Sequence, residues 1–165
     1  MHGLGNDYVV IDGSSTSLDL SNLALRLCDR HFGVGADGLL VAEPSNTADV
    51  RMRMFNPDGS EAEMCGNGIR CFTKYVLENG VVALKNGGIN VQTLNGVLEV
   101  TPFTDEAGRV DRAGVWMGQP VFNVDDIPVK LPPGDREHNK SAKLSNIQPD
   151  ANFDNSVVQY PLSIN

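Results

Sequence analysis

The sequence predicts an α+β domain in which short, mostly antiparallel strands surround one well-marked helix. Three observations predict it. Short β-branched or alternating runs recur between clusters of Gly, Pro, Asn, Asp and Ser. One long helical pattern, Ile69 to Asn79, stands near the middle of the chain. Strand and helix patterns do not alternate as a parallel βαβ sheet requires.

Taken in order, Tyr8 to Ile11 is a β-branched run and so a strand, entered through the loop Met1 to Asp7. A helix follows, with Ser21 as N-cap, Leu20, Leu23, Ala24 and Leu27 on one apolar face, and an end near Arg30. Cys28 lies near that face and reads as a packed thiol. Leu39 to Ala42 is a strand. Val50 to Phe55 alternates with period two, which makes it a strand with one wet face. Asn56-Pro57-Asp58-Gly59-Ser60 has the composition of a tight turn, with Pro57 pre-setting φ. The central helix starts after Cys65 and stops at Gly80, placed where a C′ residue belongs. Ile89 to Leu94 and Val97 to Thr101 form a hairpin about Asn95-Gly96. Val110 to Met117 adds a strand carrying Trp116, the only tryptophan. Residues 1–128 thus read as one lobe, 129–156 as a polar linker or long loop, and 157–165 as the start of a second, unfinished lobe.

Size and charge narrow the function. A chain of 165 residues makes one domain or one lobe of a larger protein. The net charge of −8 disfavours nucleic acid and anionic membrane as partners, since both need a basic surface. No apolar run approaches a membrane span, and no signal-peptide pattern opens the chain. Cys28, Cys65 and Cys71 are an odd set without metal-like spacing, read as reduced thiols in a cytosol-like compartment. His2 and His31 share no ligand spacing with them, so no metal is expected. No cofactor is expected either. Gly33-Val34-Gly35-Ala36-Asp37-Gly38 matches G-x-G-x-x-G, but it follows a helix and opens a strand, the reverse of the dinucleotide fingerprint. Its glycines admit a ligand close to the backbone or simply connect two elements, and connection is the weightier reading.

The most informative stretch is Met64-Cys65-Gly66-Asn67-Gly68, which sets a thiol at the mouth of the central helix. Backbone N–H groups point outward there and the helix dipole is positive, so a thiol ionises more readily and a carboxylate can be held beside it. The bland alternative is a buried cysteine next to a Gly-rich turn. Cys71 lies roughly 600° further round the helix, does not share the face of Cys65, and reads as core. Met52 and Met54 read as packed. Asn6, within His2-Gly3-Leu4-Gly5-Asn6-Asp7, can donate to a carboxylate and accept from an amine, as an amino-acid ligand requires. It can equally stabilise its own turn, and the same choice applies to Asn56.

The segments His2–Asp7, Cys28–Gly38, Phe55–Ser60 and Met64–Cys71, in that order, resemble the N-terminal half of diaminopimelate epimerases, with a flavour of cyanobacterial and plant-type members. The resemblance covers about Met1 to Pro128 and is weak beyond. It implies a cofactor-free epimerase interconverting LL- and meso-diaminopimelate, on the route to lysine and peptidoglycan, in the cytoplasm or a plastid stroma. It implies two similar lobes, each a strand-rich shell around a central helix, with one cysteine from each facing the α-carbon. Carried onto this sequence, Cys65 is the acid/base of this lobe. Gly66 and Asn67 bind the α-carboxylate through backbone N–H groups, and Asn6 and Asn56 bind polar substrate groups. The small-molecule substrate is the partner implied, and a homodimer is the assembly allowed.

The departures are specific. The second cysteine and a glutamate–arginine segment belong to the second lobe, and the chain ends before it. Met1 starts where relatives carry a few more strand residues. Gly38 stands where some relatives have a substrate-contacting glutamine. The chain is therefore expected to be a partial product. Two other readings stay open: an isolated, non-catalytic lobe, and a relative of proline or hydroxyproline racemases. Asn67, the His2–Asp7 segment and the Asn56–Ser60 segment argue against the second.

Overall fold

A computed structural model describes residues 1–14 and 18–119, of which Met1–Trp116 form one compact unit. The expected lobe boundary at Pro128, the linker 129–156 and the segment 157–165 lie outside the described residues. The elements run β1 (His2–Gly3), β2 (Asn6–Asp12), α1 (Leu20–Cys28), β3 (Gly38–Glu43), β4 (Val50–Phe55), β5 (Glu61–Ala62), α2 (Gly66–Glu78), β6 (Ile89–Thr93), β7 (Gly96–Thr104) and β8 (Val110–Val115). They build one mixed sheet in the order β1-β2-β3-β4-β6-β7-β8, with β5 added to β4. No helix among the described residues is long and apolar enough to cross a membrane.

The α+β class and the antiparallel majority are as expected, with two exceptions. β2 pairs β3 in parallel, Tyr8 opposite Gly38, and β4 pairs β6 in parallel, Val50 opposite Val91. Each parallel pair is bridged by a helix, because a parallel neighbour needs a long crossover. Two local crossovers are therefore embedded in a sheet whose other pairings, including β3–β4, β6–β7 and β7–β8, are antiparallel.

Alternation along the strands explains the two cores. Tyr8, Leu40, Ala42, Met52 and Met54 face α2 and pack with Ile69, Cys71, Phe72 and Val76. Leu39, Val41 and Phe55 face the other way and pack against Leu20, Ala24 and Cys28 of α1. Because neighbouring strand residues point to opposite faces, β3 is buried on both sides, and β2 packs partly on each, with Val10 towards one core and Val9 and Ile11 towards the other. On the α1 side of β4, Arg51 and Arg53 stay partly wet, and Arg53 pairs with Glu61 (2.7 Å) and stacks on Phe55. Helix α2 touches β1 and β8, the two ends of the sheet, so the strands curl around it. Met52 and Met54 are packed, as read from the sequence.

Several element ends differ from expectation, each for a local reason. The N-cap of α1 is Asp19, not Ser21; the Asp19 carboxylate accepts from the Asn22 N–H (3.2 Å), while the Ser21 hydroxyl donates to the Gly59 carbonyl (2.7 Å). The helix stops at Cys28 rather than Arg30, because the Asp29 carboxylate draws the His31 and Phe32 amides into a turn (2.7 and 2.8 Å). The β6–β7 turn is closed one residue early, Thr93 opposite Gly96, with the Thr93 hydroxyl donating to the Gly96 carbonyl (2.9 Å). Strand β8 ends at Val115, leaving Trp116 outside it and exposed. Gly80 holds its expected place, with φ of 67° and the Val81 N–H returning to the Val76 carbonyl (2.9 Å).

Candidate active site

Cys65 is the N-cap of α2, with extended backbone at φ −143° and ψ 118°. The preceding strand β5 ends at Ala62 and delivers the chain to the helix mouth. Its sulfur accepts from the Gly68 N–H at 3.4 Å, one of the orphan donors of the first helical turn. Gly68 has little room for a side chain: a Cβ there would lie 3.3 Å from Cys65 Cβ and 3.3 Å from Leu40 Cδ2. Among the described residues nothing accepts from the N–H of Gly66 or Asn67, and Gly66 is exposed. Cys65 is half-buried, whereas Cys28 and Cys71 are buried. Burial pushes both of those thiols above their ordinary range.

Strand β2 brings the second group of residues. Asn6 and Tyr8 are two apart, so both point towards α2. The Tyr8 hydroxyl lies 2.8 Å from Cys65 Sγ and also bonds Asn6 Oδ1. Asn67 Nδ2 reaches Asn6 Oδ1 at 3.5 Å, and Arg70, one turn further along α2, donates to Asn67 Oδ1. Behind them, Asn6 Nδ2 donates to the Asp37 carboxylate (2.8 Å), which also accepts from the Asp7 N–H (3.1 Å) and from Arg30 (2.7 Å). Arg30 reaches Asp7 as well (2.7 Å).

These contacts set the charges. The Asn6 amide, then the Asp7 N–H and Arg30, hold the Asp37 carboxyl well below the usual carboxylate range. The Arg30 guanidinium does the same for Asp7. Burial pushes the Tyr8 phenol up, with its bond to Cys65 as the next cause, so Tyr8 is a neutral group.

The structure therefore brings Cys65, Gly66, Asn67 and Asn6 together at one helix mouth. Asn56 bonds within its own turn: its amide donates to the Ser60 hydroxyl (2.9 Å) and its N–H to the Ser60 carbonyl (2.8 Å), in a turn held against Ser21. No hydrogen bond among the described residues joins Asn56 to Cys65, Asn6 or Asn67. The reading from sequence missed Tyr8, Asp37, Arg30 and Arg70. Tyr8 carried a usable signal, because a buried phenol needs a partner for its hydroxyl and β alternation puts Asn6 on its face. The glycines of Gly33–Gly38 serve the connection. A Cβ on Gly33 would sit 2.1 Å from the Arg26 carbonyl, and Gly35 has φ of 80° beside Arg30.

A family model described as diaminopimelate epimerase matches residues 1–122. The chain is 56% identical over 130 residues to the diaminopimelate epimerase of Caldanaerobacter subterraneus subsp. tengcongensis, covering 79% of this chain and 46% of that protein. It is 52% identical over 136 residues to that of Pelotomaculum thermopropionicum, covering 81% and 48% respectively. The chain thus spans about half the length of the curated relatives it matches. Among solved structures, it resembles a PhzF-family phenazine biosynthesis protein of Bacillus anthracis (TM-score 0.53, 24% identity, 70% of this chain and 35% of that one). A hydroxyproline epimerase of Agrobacterium vitis gives the same TM-score of 0.53 at 18% identity, covering 70% of this chain and 39% of that one. At such identities the likeness is one of fold.

Proposed function

The chain belongs to the diaminopimelate epimerase family, and on that premise we propose that it supplies one acid/base face of a cofactor-independent epimerase acting on diaminopimelate. Cys65 is the proton carrier. As thiolate it removes the α-proton, and as thiol it returns one, while a second carrier works on the opposite face of the same carbon. The observation that carries this reading is the half-buried Cys65 sulfur at the mouth of α2, beside two N–H groups without acceptors among the described residues.

The chemistry requires such a place. An α-proton flanked by an ammonium and a carboxylate is a very weak acid, and inversion without a cofactor needs the growing negative charge stabilised directly. The N–H groups of Gly66 and Asn67 face outward where the substrate carboxylate would lie, and preorganised donors of this kind lower the barrier most. Asn6 and Asn56 are assigned to polar groups of the substrate. A zwitterion of this kind, rather than nucleic acid or anionic membrane, suits a net charge of −8. The reaction places the protein on the route to lysine and peptidoglycan.

The test is isotopic. In a two-lobe epimerase carrying this half, diaminopimelate acquires solvent deuterium at its α-carbon, and Cys65→Ala abolishes that incorporation. Unchanged incorporation in the variant would remove Cys65 from the mechanism. A second reading concerns the chain by itself. Cys65 is the half-buried thiol here and Cys28 and Cys71 are buried, so one face of the α-carbon would meet water. The 165-residue chain alone is therefore expected not to invert diaminopimelate, and turnover comparable to a complete family enzyme would refute that expectation.

A further inference from the structure

We propose that Tyr8 is a positioning residue for Cys65, its one hydroxyl proton alternating between the Asn6 side chain and the Cys65 sulfur so that the sulfur is held both as thiol and as thiolate. The proposal rests on the reading of Cys65 as a proton carrier and adds a residue to it.

The argument starts at Asp37. Its carboxylate accepts bonds only, so the atom of Asn6 that faces it at 2.8 Å is the amide nitrogen. The other end of the Asn6 amide, the carbonyl oxygen, is thereby turned towards Tyr8. A carbonyl oxygen can only accept. With the Tyr8 proton given to Asn6, the Tyr8 oxygen meets Cys65 Sγ at 2.8 Å as an acceptor, and the sulfur must bring the proton. That arrangement fits a thiol.

Once Cys65 has lost its proton, the same distance requires a donor on the oxygen side. Rotation about the phenol C–O bond supplies it: the O–H turns from Asn6 to the sulfur. Asn6 Oδ1 keeps a donor in Asn67 Nδ2 at 3.5 Å, itself oriented by Arg70. No proton leaves Tyr8 in either state, since burial holds the phenol protonated. The Gly68 N–H stays on the sulfur throughout. An acid/base that must serve in both directions gains a matched partner in each protonation state.

The ring is held for this task. Tyr8 is buried on β2 opposite Gly38, where even a Cβ would be tight against the Phe55 carbonyl (3.0 Å) and in contact with the Tyr8 ring (3.4 Å).

The experiment uses the 165-residue chain and needs no substrate. The rate at which iodoacetamide alkylates Cys65, read from the mass of the Cys65 peptide, is followed against pH in the parent and in Tyr8→Phe. Tyr8→Phe loses both bonds, but the charge-assisted bond to the thiolate is the stronger, so the midpoint of that profile moves up by about one pH unit and alkylation at neutral pH slows about tenfold. A change in exposure alone would alter the high-pH plateau and leave the midpoint in place. An unchanged midpoint in a folded Tyr8→Phe chain would overturn the proposal. If circular dichroism shows that Tyr8→Phe does not fold, the Raman S–H band of the parent decides. The band missing from Cys65→Ala should lie at the frequency of a hydrogen-bonded thiol, and a free-thiol frequency would overturn the proposal. Because neither readout involves diaminopimelate, failure here leaves the deuterium assay free to uphold the role of Cys65, and the converse holds.

Discussion

Each of the two helices carries the chain from one strand to a parallel neighbour, and their first turns are closed by the same bonds but by different atoms. At α1 the cap is a carboxylate: Asp19 takes the Asn22 N–H, and the adjoining Ser21 is spent on Gly59. At α2 the cap is a thiol that takes the Gly68 N–H, and in both helices the first two N–H groups find no acceptor among the described residues. A carboxylate is the better cap for stability. A sulfur in that place gives up some helix stability and puts a titratable, polarisable atom at the helix mouth. On the role proposed for Cys65, the contrast teaches that one capping motif can serve structure at α1 and chemistry at α2, and that the capping atom decides which.

The largest test of that contrast is Cys65→Ala in a two-lobe enzyme. Removing an acid/base typically costs about 10²–10⁴ in rate, so exchange of the α-proton should fall by that factor or more. Asp19→Ala should leave exchange untouched, since Asp19 caps the other helix. Next in size is Gly33→Ala, where a Cβ would collide with the end of α1. Roughly 1–3 kcal/mol of stability should be lost by urea denaturation, with alkylation of Cys65 in the folded chain unchanged. Loss of Cys65 reactivity in that variant would break the division between the two helices. Asp19→Ala comes third, at about 1 kcal/mol of stability.

The smallest effect is in the pH dependence. Asp7 and Asp37 are held below the ordinary carboxylate range, Asp7 by Arg30 and Asp37 by Asn6 first. A depressed carboxyl contributes stability that is present above its unfolded pKa, about 3.9, and is lost as pH falls through its folded value. Arg30→Met should therefore lose a modest amount of stability at pH 7, and the difference from the parent should shrink as pH falls below about 4. The groups are exposed, so salt should shrink the difference further. A larger loss at pH 3 than at pH 7 would contradict this sign.

What could be read from the chain follows the same divide. The central helix was legible from end to end, because its thiol cap, apolar spacing and terminal glycine are all local signals. Val50–Phe55 was legible from its alternation. The parallel pairings of β2 with β3 and of β4 with β6 were not, since nothing within a strand records which neighbour it will meet. Asn86-Gly87 forms a tight turn with both residues at positive φ, a local signal that was there to be read. Around the site, Cys65, Gly66 and Asn67 form one contiguous run. Tyr8, Asp37 and Arg30 reach it only through sheet pairing and long side chains, so their meeting is a tertiary fact. Asn56 lies in a turn legible from its composition, where its amide donates to the Ser60 hydroxyl.

The most direct measurement compares the three thiols of the folded chain. Iodoacetamide at neutral pH, with mass analysis of each cysteine peptide, should consume Cys65 first and label Cys28 and Cys71 only when the protein unfolds. A Cys65 that reacts no faster than its two buried counterparts would contradict the account.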